Sequence, residues 1–166
     1  MKISHKKLIC YAFCYLTAFF LLIAVFFYFF DVPENQLRIT SEPNSFGRAL
    51  QIINNNLMNY LGYLITFLLY PIYIFLDLTL NAWAISVSLK AQGAADTFRH
   101  LALHGVIEIP NSILYTFLSF NAFRRFCKEK SFGIKKYFYY IAEQKELYIL
   151  CFFLVIVAGL AEGLFS

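Results

Sequence analysis

The sequence predicts an all-α, polytopic integral membrane protein: one membrane domain over residues 1–166, with about five transmembrane helices and one interfacial amphipathic helix. Three observations carry this. Hydrophobic residues make up 60% of the chain and mean hydropathy is +0.62, where soluble domains are about 45–50% apolar. Long uncharged runs recur at lengths near the roughly 20 residues that cross a hydrocarbon core. Twenty Phe and 12 Tyr suit lipid-facing packing and interfacial belts better than an ordinary soluble core.

The elements follow in order. Lys2, Lys6 and Lys7 form a basic head before an uncharged run over residues 8–30. That run is longer than the h-region of about 7–15 residues in a signal peptide, and no small-x-small site precedes Asp31. It therefore reads as a retained first span with its N-terminus inside. Residues 31–45 carry Pro33 and Pro43 and read as an external loop. Residues 46–57 are amphipathic, with Phe46, Leu50, Ile53 and Leu57 on one face and Asn44 as N-cap. This segment is expected to lie at the membrane surface, with a partner-binding groove element as the alternative. The second span is expected over 57–76, interrupted by Pro71, and the third over 78–92, with Asp77 and Asn81 near the turn between them. A polar linker over 90–99 contains Gly93. The fourth span covers 98–120 and the fifth 147–165.

Between the last two spans lie Arg124, Arg125, Lys128, Lys130, Lys135 and Lys136, offset by Glu129. The positive-inside rule makes this a cytoplasmic loop 124–136, held at anionic headgroups or against a partner. The net charge of +4 then belongs to membrane orientation and implies no nucleic acid. Five crossings place both basic clusters inside and residues 31–45 and 90–99 outside. Cys10, Cys14, Cys127 and Cys151 all fall toward the reducing side, which argues against a disulfide framework.

The fourth span holds the densest chemistry. His100, His104, Glu108, Asn111 and Tyr115 share one helical stripe, and Pro110 should kink the helix beside Glu108. Ionisable groups at membrane depth are costly and usually face protein or a cavity. Three roles stay open: His104 pairing with Glu108, or Glu108 pairing with another span at Asn59 or Asn81; a proton-linked or substrate-contacting role; or metal ligation by His100, His104 and Glu108. The last lacks an HExxH motif and a second acidic pair. No serine–histidine–acid set, phosphate loop or Walker sequence occurs, so no catalytic residue, metal or cofactor is assigned. Glu162 stands in the last span inside Gly159-Leu-Ala-Glu-Gly163, a GxxxG spacing that permits close helix approach. Gly105 is grouped with Gly159 and Gly163 as a helix-interface glycine.

Three pieces of the chain resemble the stage II sporulation protein M family (DUF95-like) of bacterial membrane proteins. They are Asn54-Asn55-Asn56 before a span, HGVIEIP at 104–110, and AGLAEG at 158–163. The His-Gly-x-x-Glu piece, His104, Gly105 and Glu108, is the most specific of them, and the resemblance covers about residues 46–165. The family's Asn-Gly in a central apolar segment is here Asn81-Ala82. The resemblance implies a non-enzymatic multi-span component of a larger complex in a bacterial cell membrane. Sporulation members scaffold peptidoglycan hydrolases. Small members stand beside an ABC-type ATPase in circular-bacteriocin gene clusters and are implicated in maturation, export or immunity. The short loops here leave little room for large hydrolases, which favours the second kind. Its expected partners are other membrane proteins, an ABC-type ATPase, a hydrophobic peptide and anionic lipid; a homo-oligomer stays open.

Overall fold

A computed structural model describes residues 4–32, 45–129 and 133–165, except for the side chains of 100–104 and 165. Among the described residues all regular structure is helical. Helix α1 is His5–Phe29 and α2 is Phe46–Ile65, followed by a 3₁₀ turn at Phe67–Leu69. The stretch Tyr70–Lys128 is helical on both sides of Gly93, whose φ of 81° and ψ of 172° break it. Residues 70–92 are therefore α3 and 94–128 are α4. Helix α5 is Ile134–Glu143 and α6 is Lys145–Phe165. Three segments are long and apolar enough to cross a membrane: His5–Phe29, Phe67–Arg99 and Lys145–Leu164.

The turn after α2 lies at Thr66–Leu69, not near Asp77. Thr66 ends α2 by donating its hydroxyl to the Gly62 carbonyl at 2.5 Å, and Pro71 falls in the first turn of α3. Proline is well tolerated there, because the first turn lacks intrahelical acceptors for its N–H groups. Asp77 and Asn81 consequently sit in the middle of a helix, one turn apart. The segment expected to lie on the membrane, 46–57, is instead the first half of α2 and packs along α6. Its N-cap is Ser45, whose hydroxyl accepts from the Arg48 amide at 3.1 Å; Asn44 lies outside the described residues.

Helix α2 is held to α6 by small residues. A Cβ on Gly163 would overlap the Ala49 backbone, and one on Gly159 would lie 3.0 Å from Ile53 N and 3.1 Å from Ile53 Cα. Ala49 has no exposed surface, and the Ser45 amide donates to the Gly163 carbonyl at 3.1 Å. Such approach lets dispersion replace the hydrophobic drive that lipid cannot supply. Gly105 does not share this role: a Cβ there would meet only Ile109 Cδ1 of its own helix, at 3.4 Å. Gly62 does, because the Tyr73 ring packs over it.

Helix α1 lies against α3 through Phe19, Leu78 and Ala82. Ser86 reaches from α3 to the Ile23 carbonyl at 3.1 Å. At one end of the bundle Tyr11 and Tyr70 share a 2.7 Å hydroxyl bond. The same end holds the Thr66–Leu69 turn and α5, where the Phe67 and Tyr137 rings stack at 3.9 Å. At the opposite end Lys90 donates to the Phe30 carbonyl, and Ser88 and Thr97 bond at 3.1 Å across the Gly93 turn. Large apolar side chains line the outside, among them Phe13, Phe29, Phe75 and Phe153.

Candidate functional site

Polar side chains from three helices meet between these apolar surfaces. Helix α2 supplies Asn56, Asn59 and Tyr63, which share a face by their spacing of three and four. Helix α3 supplies Asp77 and Asn81, also four apart. Helix α4 supplies Glu108, Asn111, Ser112 and Tyr115.

Asp77 is the most heavily bonded of them. Its Oδ1 accepts from Asn59 at 3.1 Å and from Asn81 at 2.9 Å, and its Oδ2 accepts from the Tyr63 hydroxyl at 3.0 Å. Charge-assisted bonds of this kind offset the cost of taking a carboxylate out of water. Asn59 also donates to the Tyr115 hydroxyl at 3.2 Å, and Tyr115 bonds Ser112 at 3.1 Å. Asn59 therefore joins α3 to α4 while belonging to α2.

Glu108 accepts from Asn56 of α2, one helical turn before Asn59. Asn111 points elsewhere: its Nδ2 donates to the Cys151 carbonyl of α6 at 3.1 Å. Between these groups is a cavity of about 70 Å³, lined by Asn56, Asn59, Asn81, Glu108, Asn111 and Ser112, with Tyr115, Val155 and Ala158 completing it. Val155 and Ala158 bring α6 to the same space.

The other residues singled out from the sequence are spread around this centre. The side chains of His100 and His104 lie outside the described residues. Among the described residues no three His, Cys, Asp or Glu side chains gather as a metal would require. Glu162 is half-buried on α6 in the field of Arg48 on α2, between the two glycines that hold those helices together. It lies away from the cavity lining.

The basic residues sit at the end that carries α5. Arg125 bridges to Glu143 at 3.6 Å and covers the Tyr140 ring at 4.8 Å, so it ties α4 to α5. Lys136 pairs with Glu129 at 3.4 Å. Lys128 and Lys135 are exposed and Arg124 is half-buried; Lys130 lies outside the described residues. Beside them an apolar groove of about 370 Å³ runs between the 3₁₀ turn and α5, lined by Leu64, Phe67, Phe126, Ile134, Tyr137 and Ile141 among others. Tyr137 donates to the Leu64 carbonyl and Tyr140 to the Leu118 carbonyl at 2.9 Å. Burial raises both phenols above their ordinary range, so they stay neutral donors and pin α5 to the bundle.

Asp77, Asn56 and Tyr63 are the members of the site that the sequence reading did not pick out. Asp77 had been placed in a turn, where a carboxylate needs no explanation. The signal was present: a lone carboxylate with asparagine one turn later in an otherwise apolar helix, matching the Asn56-x-x-Asn59-x-x-x-Tyr63 stripe on the preceding one.

No family model matches the chain, and no solved structure matches it. Its sequence is 34% identical over 145 residues to an uncharacterized protein of Methanocaldococcus jannaschii, an alignment covering 84% of this chain. The chain spans 65% of that protein's length.

Proposed function

We propose that this chain is a non-enzymatic membrane subunit that works in a larger complex. In this reading it crosses the membrane five times, with α1, α2, α3, α4 and α6 as the crossings. Helices α2 and α4 fall short in hydropathy because they carry the asparagines and Glu108 of the polar centre, which face inward. The Thr66–Leu69 turn, the basic residues and α5 share the cytoplasmic end, as positive-inside orientation requires. The polar centre sets the packing of α2, α3 and α4.

The complex we propose handles a hydrophobic, circular-bacteriocin-like peptide in its maturation, export or immunity, together with an ABC-type ATPase. The observation that supports a cytoplasmic partner is the apolar groove at the basic end. It is flanked by the exposed Lys128 and Lys135, so it suits an amphipathic helix with acidic flanks from a soluble subunit. The test is a photo-crosslinking amino acid at Phe138, an exposed groove residue, in the native host. The ATPase subunit should be captured, and Lys128→Glu/Lys135→Glu should reduce that capture while the protein still accumulates in the membrane. Crosslinks to peptidoglycan hydrolases, or peptide export that proceeds with no crosslink to an ATPase, would overturn the proposal.

A further inference from the structure

The cavity between α2, α3, α4 and α6 holds an oxygen atom with nothing to bond. Asn111 is only 3% exposed. Its Nδ2 donates to the Cys151 carbonyl, and this fixes the amide's orientation, since the reverse would set two acceptors against each other. Cys151 stands outside the cavity lining, so the opposite end of the amide, Oδ1, is the end turned toward the space. Asn111 Oδ1 is buried and has no hydrogen-bond partner in the protein. An orphaned buried acceptor of this kind is costly unless something occupies the space beside it.

The surrounding groups say what that occupant is. Every heteroatom the lining can offer as a ligand is oxygen: the Glu108 carboxylate, the asparagine amide carbonyls, and the Ser112 and Tyr115 hydroxyls. Asp77 stands directly behind the lining, bonded to Asn59 and Asn81. No lysine or arginine is among the lining residues. A volume of about 70 Å³ has room for a small ion and a water or two, since a water needs roughly 10–15 Å³ on the same measure. Hard oxygen donors without thiolate or imidazole select hard cations over transition metals. One lining carboxylate among neutral oxygens matches a single positive charge.

We propose that this cavity binds an alkali cation of the Na⁺ class, with the Glu108 carboxylate and Asn111 Oδ1 as its principal ligands. Asn56 is a positioning residue, holding Glu108 at the cavity. An ion seated there links α2, α4 and α6 and stabilises the folded bundle by mass action, because the separated helices do not form the site.

The test uses the full chain purified in mild detergent. Its thermal unfolding is followed from zero to high NaCl, with choline chloride keeping ionic strength constant. The melting temperature should rise along a saturating curve, by about 5 °C at roughly 100 times the dissociation constant. In Glu108→Gln, which keeps the hydrogen-bonding shape, the Na⁺-dependent rise should vanish. Direct binding of radioactive Na⁺ to the wild-type protein should saturate near one ion per chain, and this readout stands even if the variant does not fold. Equal melting in Na⁺ and choline with no saturable binding would overturn the proposal and leave water as the occupant. A rise on acidification with none from Na⁺ would overturn it in favour of a proton.

Discussion

Asp77→Ala removes the acceptor on which three donors converge, and its cost can be worked from the geometry. Two of those donors, Asn59 and Tyr63, come from α2. The third, Asn81, lies one turn further along α3 itself, and its amide also bonds the Asp77 carbonyl at 2.9 Å. An inserted but undocked α3 keeps that local contact, so only the two bonds from α2 report on tertiary structure. Interhelical hydrogen bonds in membrane proteins average about 0.6 kcal/mol and reach about 1.7. The expected loss is therefore about 1–3 kcal/mol. Removing the carboxylate recovers little of this, because its burial cost is largely shared by the docked and undocked states of an inserted helix. The assay is reversible unfolding in mixed micelles with rising SDS, followed by helicity and by the fluorescence of Trp83, the sole tryptophan, which packs edge-on to Phe26 of α1 at 5.5 Å. Asn81→Ala serves as the control and should change stability by under about 0.5 kcal/mol. An Asp77→Ala protein as stable as wild type, or no less stable than Asn81→Ala, would refute the argument that Asp77 docks α2 onto α3.

The glycines separate packing from backbone effects. Gly163→Ala should destabilise by about 1–3 kcal/mol in the same assay, because its methyl group would meet the Ala49 backbone rather than a side chain that can turn away. Gly93→Ala should cost about 1–3 kcal/mol for a different reason: its φ of 81° excludes an L side chain, although nothing lies within 4 Å of the new methyl. Gly105→Ala should be neutral or stabilising by up to about 1 kcal/mol, since alanine is the better helix former and only a rotatable Ile109 methyl stands near. Loss of stability in that last variant would restore Gly105 to a helix interface.

These elements also show what the sequence could reveal. Composition alone made the all-helical, membrane-compatible architecture legible, and the apolar runs located α1 and α6 to within a few residues. Gly93 marked the break between α3 and α4 because its conformation has no other occupant. The turn after α2 was not legible. It is built from Thr66, Phe67, Leu68 and Leu69, and three of these four are as apolar as the helices they join. Hydropathy has no signal for such a turn. Pro71 drew attention as an interruption when it is the start of α3, and Asp77 drew the turn toward itself because a carboxylate is expected at a helix end. Moving the boundary by about ten residues turned an unremarked loop acid into the centre of a polar network. Helix α2 was divided for a related reason: its asparagines, polar by composition, face other helices rather than water. The partner of Glu108 was anticipated on another span, at Asn59 or Asn81; the structure assigns it to Asn56, one turn from Asn59.

The account rests on the convergence of α2, α3 and α4 on one polar centre, and the bond between Asn56 and Glu108 tests it most directly. A double-mutant cycle with Asn56→Ala and Glu108→Ala, read by SDS unfolding, should give a coupling energy of about 0.6–1.7 kcal/mol. Additive effects, with coupling indistinguishable from zero, would contradict the contact between α2 and α4 and the centre built on it.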